Sequence, residues 1–314
     1  MPEFRPTPDT DSGPPLMPCF RPWQMPRKDS QGRRWTDLGS VTVPCRQCAG
    51  CRVDHARQWG LRCSHESQGY EASSFLTLTY SNANYPDNGS VNVRDLQLFQ
   101  KRVRHFRQGV RIRFFSCGEY SPSTWRAHYH VLGFGLQFAD RILHAKSKSG
   151  FPVYTSDELS ELWPHGHSYI GDLTYESCAY TARYSMKKVN GKKALDHYRR
   201  INPVTGEVVQ LRPEFITMSR RPGIGADWFK QFGRDCFPSD YLILNGSRVA
   251  VPPFYLRQLA AQPGGVIGEL MIKSRRKERA RTHADNNTPE RLAVREEVAE
   301  RRFARLMRSF EDSM

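Results

Sequence analysis

No stretch of this chain approaches 18 consecutive apolar residues, and its opening MPEFRPTPDTDSGPP has neither a basic segment nor an apolar one of the kind a secretory leader needs. The expectation is a protein with no membrane partner. There is no internal repeat, and no G-x-x-x-x-G-K-[ST] pattern, which argues against a P-loop nucleotide motor. Lysine is scarce, with 11 residues against 36 arginines. Acidic residues are also few: 32 Asp and Glu face 47 Lys and Arg, leaving a formal charge of +15. The guanidinium is a planar fork suited to phosphate oxygens, so this balance favours nucleic acid as the polyanionic partner. Eight cysteines in 314 residues are too few and too spread for a small disulfide scaffold, and imply a reducing, intracellular setting. With 38% hydrophobic residues the chain can bury a core, as one large domain with elaborations or as two modest ones.

What is present divides into four stretches. Residues 1–43 are Pro-rich and read as an extended arm. A core over 44–235 opens with PCRQCAGCR and a predicted helix. It continues with the strand FLTLTY, and then VRDLQLFQKRVRHFRQ follows as an amphipathic helix with a basic face. RIRFFSCGEY and RAHYHVLGFG flank the short connection SPSTWR as a hairpin. After it come a helix capped by Ser156, a strand in HGHSYIGDLTY, a helix in YESCAYTARYSMKKV, a loop-like stretch to about Gln210, and a short strand with a Gly-rich loop in EFITMSRRPGIG. Residues 236–270 predict an accessory hairpin turning at Asn245-Gly246 and a helix. Residues 271–314 form a charged, helix-prone tail.

The chemistry concentrates in His128-Tyr129-His130. Residues two apart on a strand share a face, which sets both imidazoles side by side. If Tyr120 pairs with Ala127 across the turn, Glu119 falls opposite His128, within reach of the same ion. Two His and one carboxylate leave open positions for water or a phosphate oxygen. The plainer reading is a pair of exposed polar residues on a strand. Tyr180, Tyr184 and Lys187 fall on one stripe of the predicted helix. Taken alone they suit an amphipathic helix whose lysine snorkels. Beside a metal hairpin, a Tyr hydroxyl suits attack on a polarised phosphodiester, with the ammonium balancing charge. Cys45, Cys48 and Cys51 invite Zn²⁺, but a closed site wants four ligands and no second C-x-x-C pair exists. His55 or Cys63 would complete it; free thiols or an iron–sulfur site are the alternatives. Arg220 and Arg221, after Ser219 and before Pro222-Gly223-Ile224-Gly225, offer donors to DNA phosphates, and Trp125 at the hairpin tip offers a face for an unpaired base.

These motifs, in the order apolar strand, His-x-His strand, Tyr-x-x-x-Tyr-x-x-Lys helix, resemble those of the HUH-type endonucleases that initiate rolling-circle replication. The resemblance is closer to the replication initiators of gokushoviruses, small single-stranded DNA phages. It covers about residues 44–230 and implies an α+β fold, with a central antiparallel sheet of about five strands and helices on one side. It also implies that Glu119, His128 and His130 hold Mg²⁺ or Mn²⁺ against a scissile phosphate of the viral origin in single-stranded DNA. Tyr184 or Tyr180 would then form a 5′-phosphotyrosyl link and free a 3′-OH primer. Host polymerase would extend the primer and a host helicase would open the duplex, in the bacterial cytoplasm. Two rival readings stay open: a nonenzymatic basic zinc protein that binds nucleic acid, and an HUH transposase or relaxase.

Overall fold

The computed structural model describes residues 19–26, 39–147, 150–183, 188–189, 193–201 and 206–311, with side chains as far as residue 302. In chain order its elements begin with β1 (Trp23–Pro26), β2 (Ser40–Val43), α1 (Ala49–Ser67), β3 (Ser73–Thr79), α2 (Val93–Phe106), β4 (Arg113–Tyr120) and β5 (Ala127–Phe134). Then come β6 (Ile142–Lys146), β7 (Pro152–Thr155), α3 (Asp157–Leu162), β8 (Ser168–Asp172), α4 (Tyr175–Arg183), α5 (Lys193–His197), β9 (Arg199–Ile201), β10 (Val208–Gln210) and β11 (Phe215–Met218). The remainder is α6 (Ala226–Cys236), β12 (Tyr241–Leu244), β13 (Ser247–Ala250), α7 (Pro253–Ala260), α8 (Gly265–Thr282) and α9 (Pro289–Glu311). Two compact units result, one built on Arg52–Trp228 and the other from the chain before Arg52 together with Phe229–Ala299.

The first unit is organised by a seven-stranded antiparallel sheet in the order β11-β4-β5-β3-β8-β7-β6. β3 shows why its sequence reads as a strand. Leu76 and Leu78 are wholly buried on one face, while Thr77 and Thr79 take the other. α2 covers the leucine face, packing Leu96, Phe99 and Val103 with Tyr80, Tyr129 and Trp163. On the opposite face, Cys63 of α1 and Cys178 of α4 join Phe115, Leu132 and Phe134. The two helices approach so closely that a Cβ on Gly60 would stand 3.0 Å from the Ala179 Cα. Covering on both faces explains why every residue of β4 is buried, a pattern proper to a central strand.

Three expectations are corrected. The sheet has seven strands rather than about five, because β6 and β7 add a hairpin beyond β8. Every residue of β6 is exposed, so no hydrophobic alternation marked it in the sequence. Helices lie on both faces rather than one. The stretch after α4, read as a loop, contains α5 and the ribbon β9–β10, anchored by wholly buried Tyr198. A buried ion pair also fixes the frame: Arg113 Nη1 donates to Glu66 Oε1 at 2.8 Å, with both side chains almost fully enclosed.

In the second unit β1 and β2 form an exposed two-stranded ribbon, and β12–β13 turn through Asn245 and Gly246, both at positive φ as a type I′ turn requires. Phe229 stacks on Tyr255, and Asp240 holds Arg276 and Arg279 of α8. Among the described residues no helix is long and apolar enough to cross a membrane.

Candidate functional site

The hairpin β4–β5 pairs Tyr120 with Ala127, Glu119 with His128, and Cys117 with His130. This register brings Glu119 and both imidazoles onto the face covered by α1 and α4, while Tyr129 between them points into the opposite core. Glu119 Oε1 stands 2.7 Å from His128 Nε2 and 3.1 Å from His130 Nε2. One donor atom from each residue lies within 4.8 Å of the other two, a cluster fit to hold a cation. Glu119 and His130 are buried, and His128 is only partly exposed.

The ring contacts explain which nitrogens face inward. His128 Nδ1 lies 3.2 Å from the Arg126 carbonyl, a contact that orients the ring. The Nε2 of the same ring then meets a carboxylate. His130 Nδ1 is held by the Thr77 hydroxyl at 3.1 Å, leaving its Nε2 toward Glu119. Burial alone would raise the Glu119 carboxyl, but the hydrogen bonds and charge of His128 and His130 outweigh it and hold the group down at about 2. The set is thus an ionised carboxylate and two oriented imidazoles. That chemistry fits a divalent transition-type ion with open positions.

Beside His128 a cleft of about 910 Å³ is lined by Ser81, Asn82, Ser123, Arg126, His167 and Tyr169 among others. Its lining mixes hydroxyls, imidazoles and the Arg126 guanidinium with the rings of Tyr80 and Tyr169, a combination that suits a nucleotide, which has both charged and stacking surfaces. On the other flank the Tyr180 ring meets His130 edge-on at 5.3 Å between centroids. Tyr184 and Lys187 lie outside the described residues. Trp125 is not a bare platform, since the Arg200 guanidinium sits 3.5 Å from its ring centroid and His197 meets it edge-on. Arg220 and Arg221 are exposed, yet the loop after them is committed inward. The Gly225 N–H donates to Glu66 Oε2 at 2.6 Å, and Arg62 Nε donates to the Ile224 carbonyl at 3.0 Å.

Cys45, Cys48 and Cys51 do converge, and the residue that joins them is Cys19. Neither suggested partner takes part. His55 Nε2 accepts from the Trp59 indole, and Cys63 is packed under the sheet with Phe115. Burial would raise the Cys45 thiol, but the amides of Gln47 and Cys48 and the thiols of Cys19 and Cys48 bring it down to about 7. Two site residues escape the sequence reading. Thr77 was marked only by the alternation of FLTLTY, and Cys19 by nothing beyond its being a cysteine in the Pro-rich arm.

A family model described as "Replication-associated protein ORF2/G2P" matches residues 73–189, the stretch from β3 to just past α4. The chain is 32% identical over 227 residues to the replication-associated protein VP4 of Bdellovibrio phage phiMH2K, covering 70% of this chain and 68% of that protein. It is 31% identical over 234 residues to the replication-associated protein ORF2 of Spiroplasma virus 4, with 69% and 68% covered. Against the replication-associated protein ORF4 of Chlamydia phage 1 it is 28% identical over 245 residues, with 74% and 58% covered. No solved structure matches. With two relatives above 30% identity over two thirds of their lengths, and a site built inside the matched stretch, the chain belongs to the family of gokushovirus-type phage replication-associated proteins.

Proposed function

We propose that this protein is the replication initiator that nicks single-stranded viral origin DNA by tyrosine attack and later rejoins the strand. The observation that carries the reading is the cluster of Glu119 with the Nε2 atoms of His128 and His130, flanked by a phenol. Glu119, His128 and His130 would hold the ion, and two imidazoles beside one carboxylate suit Mn²⁺ better than Mg²⁺, which prefers oxygen donors. When bound, that ion polarises a phosphodiester oxygen and withdraws charge from phosphorus.

The protein's own groups do the rest. Glu119 stays ionised at all physiological pH and holds the inward edges of both imidazoles. Thr77 and the Arg126 carbonyl fix the outward edges, so the donors need no reorganisation when DNA arrives. The attacking phenol, Tyr184 or Tyr180, gives up its proton and forms the Tyr O–P bond as the P–O3′ bond breaks. The departing 3′ oxygen takes a proton and becomes the primer hydroxyl. Lys187 is assigned to balance the developing negative charge. Because one phosphodiester replaces another, the reverse attack by a 3′-OH restores the strand without ATP. The cleft with Arg126, His167 and Tyr169 is assigned to the DNA flanking the scissile phosphate. Host helicase and polymerase supply strand opening and extension.

Incubation with single-stranded origin DNA and Mn²⁺ is expected to trap protein joined to the 5′ end of the cleaved strand. Peptide mass spectrometry is expected to map the adduct to Tyr184 or Tyr180, and Tyr180→Phe with Tyr184→Phe to abolish it. An adduct that persists in the double variant refutes the nucleophile assignment. DNA binding with no cleavage under any divalent ion supports instead a nonenzymatic basic zinc protein.

A further inference from the structure

The four-thiol cluster is independent of the nicking chemistry and belongs to the other unit. Cys45-x-x-Cys48-x-x-Cys51 supplies three sulfurs from the turn before α1 and the first turn of that helix, and Cys19 supplies the fourth from the segment just before β1. All four Sγ atoms lie within 4.8 Å of one another. The Cys19 and Cys48 sulfurs are 3.9 Å apart. A tetrahedron with metal–sulfur bonds of about 2.3 Å has edges of about 3.8 Å. A disulfide needs about 2.05 Å, and all four thiols are free.

The backbone is arranged around these sulfurs. The N–H of Cys45 donates to Cys19 Sγ at 3.1 Å, that of Phe20 to Cys48 Sγ at 3.3 Å, and those of Gln47 and Cys48 to Cys45 Sγ at 3.5 and 3.3 Å. Between these cysteines Arg46 takes a left-handed conformation, φ 61°, which is uncommon for a residue with a side chain. Amides aimed at sulfur favour the thiolate, and several thiolates together require a cation. The surroundings need one as well. Among the described residues the apolar side chains packed here besides the cysteines are Phe20, Leu292, Ala49 and Ala299, and the β1–β2 ribbon is exposed. A two-stranded ribbon with so small a core does not hold itself together.

We propose that Cys19, Cys45, Cys48 and Cys51 form a closed tetrathiolate zinc site that staples the arm before β1 to the start of α1. Four soft donors in tetrahedral reach suit Zn²⁺, and with all four positions taken by protein the site is structural, with no place for substrate. Two residues after Cys19, Arg21 Nε donates to Glu296 of α9 at 2.7 Å, a second tie on the same segment.

The test uses the full chain carrying His128→Ala and His130→Ala, so that the hairpin contributes no metal. Purified with zinc sulfate present, it is expected to retain one equivalent after gel filtration. Replacement by Co²⁺ is expected to give the intense visible bands and sulfur-to-metal charge transfer of a four-thiolate tetrahedral centre, a readout that alters no cysteine. Adding Cys19→Ser is expected to change this to a three-thiolate spectrum and to weaken zinc retention against a chelator by about tenfold or more. His55→Ala and Cys63→Ala are expected to change neither. A chain that retains no zinc and gives no tetrahedral Co²⁺ spectrum overturns the proposal, as does a Cys19→Ser spectrum identical to its parent. Isolation with bound iron and a brown charge-transfer colour overturns the identity of the metal. None of these outcomes bears on adduct formation, so a failure here leaves the nicking assignment standing.

Discussion

Replacing Tyr129 by Phe separates the two faces of the His-x-His strand. Tyr129 is wholly buried between the two histidines in sequence but on the opposite side of the sheet from both. Its hydroxyl lies 2.6 Å from the Tyr80 hydroxyl, accepts from the Asn92 N–H at 2.8 Å and donates to the Asn92 carbonyl at 3.1 Å. Tyr80 keeps a partner in Asp95 at 2.7 Å when that hydroxyl is removed, whereas the Asn92 amide, at the N-cap of α2, loses its acceptor. Leaving one such group unsatisfied costs about 1–3 kcal/mol. For a unit of this size each kcal/mol is about 2–4 °C in Tm, so Tyr129→Phe is expected to melt roughly 4–8 °C lower for a midrange cost of about 2 kcal/mol. Its Mn²⁺ affinity by calorimetry is expected to match the parent, because no donor atom moves. His130→Ala is expected to do the reverse, abolishing the Mn²⁺ heat. If Tyr129→Phe melts unchanged, or loses Mn²⁺ binding as His130→Ala does, the assignment of these side chains to opposite faces is wrong.

Three further outcomes follow from other contacts. Thr77→Val removes the hydroxyl that orients His130 and is expected to weaken Mn²⁺ binding about 10–100-fold with little change in melting, read by the same calorimetry. Glu66→Gln leaves Arg113 buried without its counter-charge and is expected to destabilise the sheet unit by about 3–5 kcal/mol in urea unfolding; a loss below about 1 kcal/mol refutes a buried pair. His65 is buried against Trp228, and that burial lowers its ring from 6.5 to about 4. The unfolded chain therefore binds the proton first as pH falls. Stability is fully present above about 6.5 and lost on the way down to about 4, an amplitude of roughly 3 kcal/mol. His65→Gln is expected to flatten that part of the pH–stability curve.

The site was legible in the sequence where its information is local. A short turn between strands of opposite direction fixes the pairing of Glu119 with His128, so one assumed partner pair yields the rest of the ladder. The leucine–threonine alternation of FLTLTY likewise announces a strand with one apolar face. Cys19 was not legible, because it is separated from Cys45 by a Pro-rich segment that carries no periodic signal. β6 escaped for a related reason: its residues are all exposed, and what holds it is pairing with β7, a property of the neighbour rather than of its own composition. That helices cover both faces is a matter of where α1 and α4 return, which depends on close approaches such as Gly60 to Ala179.

Glu119 is only 9 residues from His128 and 11 from His130 along the chain. Closing so short a loop costs little entropy, so a local contact is enough to bring the carboxylate to both imidazoles. Tyr180 belongs to α4, which follows β8 in the chain, and β8 pairs with β3. The two halves of the site are thus separable along the sequence: the carboxylate and both imidazoles are local to one hairpin, and the phenolic ring beside them comes from a later helix.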